Sequence, residues 1–170
     1  MIQRRKFITS VATVGAVAVA GCSGGTSGDD DNPIDAEPED LLPAADLFGE
    51  GWEEGGQDSV TEGSLSPVDL AGDTVEASFA SGDGLQGVDV QVTVFESVDG
   101  AMSGYEDMRD ADSSDPSVED ADIASEAYLF DAFDTVYFRD ANVIGILAHT
   151  SDSSTKTIEY GSDWHDTWRN

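Results

Sequence analysis

Apolar and polar residues alternate with period two in two neighbouring stretches of the chain. From Thr74 to Ala80, Val75, Ala77 and Phe79 fall on one side. From Val88 to Val94, four valines alternate with Asp89, Gln91 and Thr93. Alternation over this length predicts half-buried strands. The glycine-rich stretch from Ser81 to Gly87 predicts the hairpin loop between them. The period then lengthens. Val98, Ala101, Met102, Tyr105 and Met108 recur at helical spacing behind Ser97, a residue suited to cap a helix start. Asp99 in the first turn favours the helix dipole. The polar run from Asp110 to Pro116 ends the helix.

The second half repeats this order. Ala127–Phe130 predicts a strand, and Thr135–Arg139 with Val143–Ala148 predicts a hairpin about Asp140-Ala141-Asn142. A closing helix is predicted from Ser153 to Trp168, with Ile158, Gly161, Trp164 or His165, and Trp168 on its buried face. Ahead of all this, Asp40–Phe48 predicts a short helical turn stopped by Gly49, with Gly51-Trp52 next. Hairpins followed by single helices predict an α+β domain: an antiparallel sheet with both helices packed on one face. Only the order of elements repeats between the halves.

The front of the chain has a different character. Arg4, Arg5 and Lys6 precede an uncharged stretch from Phe7 to Gly21, the order of an export signal. The stretch is too short and too rich in Ala, Gly and Thr to span a bilayer. Arg4-Arg5-Lys6-Phe7-Ile8 resembles the twin-arginine motif, an address read by a receptor. That route typically carries folded proteins. Val19-Ala20-Gly21-Cys22 resembles the lipobox of prokaryotic lipoproteins, which implies cleavage before Cys22 and a lipid on its thiol. Cys22 is the only cysteine, so a monomer has no disulfide to form. A two-chain lipid anchors stably where one chain does not. Residues 23–40 are small, acidic and proline-punctuated, which predicts a flexible tether. The predicted organisation is therefore a signal peptide over 1–21, a lipidated Cys22 with a tether to residue 40, and one domain over 41–170. Asp29-Asp30-Asp31 lacks the spaced ligands of a calcium loop and is read as a solvated run.

Charge places this domain in an unusual solvent. The chain carries 36 acidic residues against seven Lys and Arg, a formal net charge of −29. Past the leader only Arg109, Arg139, Lys156 and Arg169 remain. Such a density repels itself at low salt, whereas at 1 M salt the Debye length is about 3 Å. The composition resembles that of haloarchaeal proteins. An acidic disordered chain is the other class with such charge, and the alternating strands argue against it. A nucleic-acid partner is excluded for want of a basic footprint.

Three segments together resemble a known group. They are Leu42-Pro43-Ala44-Ala45-Asp46 leading to Gly51-Trp52, then Ser125-Glu126-Ala127-Tyr128, then Val136 through Gly145. Residues 41–168 are similar in element order to the extracellular sensor-like domains of mycobacterial serine/threonine kinases and to related small actinobacterial and haloarchaeal lipoproteins. Ala141 stands where that turn usually carries glycine. The resemblance implies ligand sensing or partner contact at the cell surface, with no defined chemistry.

Candidate chemistry is sparse. His149 and His165 are the only histidines. His165-Asp166 is not a dyad, because helix neighbours point about 100° apart. A hydrolase would need His149 and His165 to meet at a cleft beside a carboxylate. No nucleophile elbow or phosphate-cradling loop is present, and no metal or cofactor is expected. Trp52, Trp168 and Arg139 are the candidate ligand contacts, with core packing for the indoles and a salt bridge for Arg139 as the competing structural roles. The expected function is a membrane-anchored, outward-facing domain that binds a ligand or partner. A structural envelope component that meets the surface layer is the alternative, and a hydrolase the second.

Overall fold

The computed structural model describes residues 32–55, 65–150 and 154–169. The leader, Cys22, the triple-Asp run and Ser153 lie outside them. Seven strands form one antiparallel sheet: β1 (Trp52–Glu54), β2 (Asp73–Ser81), β3 (Gly87–Val94), β4 (Val118–Asp120), β5 (Glu126–Phe130), β6 (Thr135–Asp140) and β7 (Val143–His149). Their spatial order is β1-β2-β3-β7-β6-β5-β4. Two meanders, β1 to β3 and β4 to β7, thus join where β3 pairs with β7, with Val90 opposite Leu147. The helix α1 (Val98–Asp112) carries the chain from the centre of the sheet to its β4 edge. The helix α2 (Ser154–His165) follows β7.

The α+β class and the hairpin-built antiparallel sheet are as expected. The placement of the helices is not: they cover opposite faces. Trp164 and Trp168 share a buried cluster with Val90, Val136, Phe138, Val143 and Leu147. Ala101, Tyr105 and Met108 of α1 share a second cluster with Tyr128, Tyr137, Ile144 and Ile146. Neighbours along a strand point to opposite faces, so the two clusters lie on opposite sides of β5, β6 and β7. Every residue of β6 and β7 is buried. A strand buried on both faces loses its polar alternation, and Val143–His149 has none.

The polar row of β3 is also covered. Asp89, Gln91 and Thr93 are all at most 3% exposed. The segment 65–72 lies against them: the Ser66 N–H donates to Gln91 Oε1 at 3.3 Å. Its approach is so close at Gly72 that a Cβ there would stand 2.6 Å from Thr93 Cγ2.

Local signals are largely kept. Ser97 caps α1, its Oγ accepting from the Gly100 N–H at 3.1 Å. Met102, expected on the buried face, is 41% exposed. The expected turn before Gly49 is two 3-10 turns, Pro38–Leu41 and Ala45–Phe48. On α2, Tyr160, Gly161 and Trp164 are buried and Ile158 is half-buried. A Cβ at Gly161 would meet Val136 Cγ1 at 2.9 Å, so this glycine lets α2 sit tight on β6. Ala141 holds the left-handed turn conformation at φ 48°, where the resemblance expects glycine.

The chain joins the fold before the expected boundary at Leu41. The Ile34 N–H donates to Asn142 Oδ1 at 2.7 Å. Asn142 Nδ2 donates to the Phe95 carbonyl at 3.0 Å. One buried amide thus ties the incoming chain, the end of β3 and the β6–β7 turn together.

Candidate functional site

Two clefts meet at the corner where β3 gives way to α1. Phe95 closes this corner; it is 5% exposed and accepts through its carbonyl from Asn142. The first cleft, of about 360 Å³, runs between α1 and the 65–72 segment. Val68, Leu70 and Phe95 supply its apolar lining, and Gly100, Ser103 and Gly104 form the helix wall. A side chain at Gly104 would meet Phe95 Cζ at 3.0 Å and Leu70 Cδ2 at 3.3 Å. The helix is therefore bare where the cleft needs room. Asp69, Glu96 and Asp107 stand on the rim, all exposed. The second cleft, of about 430 Å³, lies where the chain enters, between Pro33–Pro38 and the Val94–Glu96 end of β3.

The residues singled out from sequence lie elsewhere. Trp52 stacks at a tilt on Phe48 with centroids 5.5 Å apart, and Trp168 lies on Phe138 at 5.0 Å. Trp168 belongs to the α2-side core and half-buried Trp52 packs against it; neither lines either cleft. Arg139 is 9% exposed. Its Nε donates to Glu126 Oε2 at 2.8 Å and its Nη1 to the Ala141 carbonyl at 2.9 Å. The structural roles weighed for these three are the ones the geometry displays.

The two histidines sit at opposite ends of β7. His149 is its last residue and packs against Tyr160, centroids 5.4 Å apart. His165 reaches Asp140, which pairs with Val143 at the other end. Six residues at ~3.3 Å each separate these ends by about 20 Å. The convergence that a histidine-based hydrolase needs is not formed. Among the described residues no cluster of three or more metal-ligating side chains is assembled, and no helix is long and apolar enough to cross a membrane.

A cluster that sequence spacing does not reveal closes the α2 face. Asp140, with its side chain 2% exposed, accepts from Arg169 Nε at 2.7 Å and from Arg169 Nη2 at 2.6 Å. His165 Nε2 lies 3.0 Å from the same carboxylate. Burial opposes the charge on Asp140, but the hydrogen bonds from Arg169 and His165 outweigh it and hold the carboxyl well below its usual range. Burial, aided by Lys156, holds the His149 imidazole below its usual value.

On the α1 face, Tyr128 stacks on Tyr137 at 4.6 Å and meets Tyr105 edge-on at 5.7 Å. The Tyr128 hydroxyl donates to Asp112 Oδ2 at 3.0 Å. Burial pushes all three phenols far above their ordinary value, so they stay neutral and serve packing.

Sequence spacing reveals neither the cleft nor the Asp140 cluster. The cleft's outer wall, 65–72, carries no periodicity. Its inner wall shows only as the small residues Gly100, Ser103 and Gly104 on α1. The chain matches no protein-family model, no curated protein and no solved structure.

Proposed function

We propose that this protein is an exported lipoprotein, held to the outer face of the cell membrane by a lipid on Cys22, whose α+β domain binds a ligand or partner without acting on it chemically. The working site in this reading is the cleft between α1 and the 65–72 segment. The observation that carries it is an apolar-lined cleft of about 360 Å³, open beside the corner where the tether joins the fold. Ligand sites are typically concave and mostly apolar, with a few polar groups that fix orientation. The leader supports the location: Arg4 and Arg5 head an uncharged stretch that ends at the single cysteine. The acidic surface fits a domain that works in concentrated salt.

The envelope-scaffold reading draws on a different observation. Leu85 in the β2–β3 loop and Phe133 in the 3-10 turn Asp131–Phe133, 79% and 68% exposed, stand at the opposite end of the sheet. Single exposed apolar residues are common on soluble domains, so the cleft is preferred. Protease treatment of intact cells tests the location. The domain is expected in the membrane fraction and is expected to be lost on external proteolysis. An intact domain retained inside the cell would contradict the reading.

A further inference from the structure

We propose that the α1 cleft takes a small organic cation with an apolar body, such as an aralkylammonium, its apolar part against Phe95 and Leu70 and its ammonium among Asp69, Glu96 and Asp107. This rests on the cleft being the working site and adds the chemical class of what it holds. Three observations bear on the class.

The rim has one sign of charge and no cation of the domain to answer it. Arg109 is joined to Asp120, Arg139 to Glu126, Lys156 to Glu159 and Arg169 to Asp140. The four cations beyond the leader are thus paired elsewhere, and none lines the cleft. A ligand anion would meet only carboxylates there.

The helix start does not reverse this. A helix N-terminus attracts anions, but here Ser97 Oγ already accepts the Gly100 N–H and Asp99 stands in the first turn. The cleft mouth keeps its negative character.

The apolar lining separates this place from the rest of an acidic surface. Exposed carboxylates everywhere on the domain attract any cation weakly and are screened by salt. Here three carboxylates stand beside half-buried Val68 and Leu70 and the buried Phe95 ring, with the small residues Gly100, Ser103 and Gly104 leaving room for an apolar body. An ammonium without an apolar body therefore gains nothing particular from the cleft.

The test uses the full chain carrying Cys22→Ser and follows backbone amide shifts on titration. The probes are phenethylammonium, phenethyl alcohol and methylammonium. Phenethylammonium is expected to move the amides of Leu70, Gly100, Ser103 and Gly104, and to bind about tenfold more tightly than the alcohol, as three carboxylates at about two- to fivefold each allow. Ser103→Trp should abolish those shifts by filling the cleft. Glu96→Gln, an exposed change that leaves the fold alone, should weaken binding about two- to fivefold. Equal binding of the alcohol at the same amides would overturn the cationic class while leaving the cleft a ligand site. Shifts spread over the surface and matched by methylammonium, or no shift in the cleft with any probe, would overturn the inference and the working site together.

Discussion

Arg169→Met tests how the Asp140 cluster holds the end of α2 to the sheet. The substitution keeps much of the side-chain stem and removes both hydrogen bonds to Asp140, at 2.7 and 2.6 Å. Asp140 is then left 2% exposed with only His165 Nε2 at 3.0 Å. Removing one partner of a buried pair typically costs 3–5 kcal/mol. Arg169 is itself 33% exposed, so water reaches the gap, and we expect the low end, about 3 kcal/mol. Asp140→Asn should cost less, about 1–2 kcal/mol, because the shape is kept and the freed guanidinium can turn to solvent. The double variant should cost little more than Asp140→Asn alone, since no buried charge remains to be stranded.

The effect also has a pH signature. In the native protein the Asp140 carboxyl sits below its unfolded value of about 3.9. Its contribution is full above that pH and is lost as pH falls through the folded value. Without Arg169, only His165 still opposes burial, so the carboxyl rises from its native value. The cost of Arg169→Met should therefore be largest near neutrality and shrink as the pH falls and Asp140 takes up a proton. Urea unfolding followed by tryptophan fluorescence, at fixed salt, measures this, because Trp164 and Trp168 pack in the same cluster. Equal costs for the two single variants, additive in the double within about 0.5 kcal/mol, would refute the reasoning. So would a cost that does not change with pH.

Other outcomes follow from packing and charge. Gly145→Ala should destabilise by about 1–3 kcal/mol in the same unfolding assay, because a Cβ there would stand 2.5 Å from Phe138 Cζ and 2.9 Å from Trp168 Cη2. Thermal stability should fall as pH drops below about 6.5, because unfolded His149 takes up a proton that the buried imidazole resists; His149→Gln should flatten that part of the curve measured by calorimetry. With a net charge of −29, the unfolding midpoint should rise steeply between 0.1 M and molar NaCl, where screening contracts from about 10 Å to about 3 Å. A midpoint indifferent to salt would count against the halophilic reading.

The parts of the fold legible in sequence are those whose signal is local. The valine alternation at 88–94 marks β3, and Ser97 with its spaced apolar residues marks α1, to within a residue at its start. Two features leave no local signal. The three-residue strands β1 and β4 are too short to show a period. The polar row Asp89, Gln91 and Thr93 looks solvent-facing until the 65–72 segment is laid over it. The opposite-face helices had a trace that periodicity arguments undervalue: Val143–Ala148 has no polar alternation, as a strand covered on both sides requires. The candidate site was less legible still. Trp52 and Trp168 are large and few, which draws attention, but Trp168 is a core residue and Trp52 packs against that core. The cleft comes from glycines and from a segment without pattern, and its meaning lies in the pairing of four distant cations.

The placement of this domain on the outer face of the membrane turns on Cys22. Mass spectrometry of the native protein purified from its own membranes measures its amino-terminal peptide directly. The expected peptide begins at Cys22 and carries a two-chain lipid mass on the thiol, with Cys22→Ala released from the membrane. An unmodified Cys22 within an uncleaved or differently cleaved chain, or membrane retention that Cys22→Ala leaves unchanged, would contradict that placement.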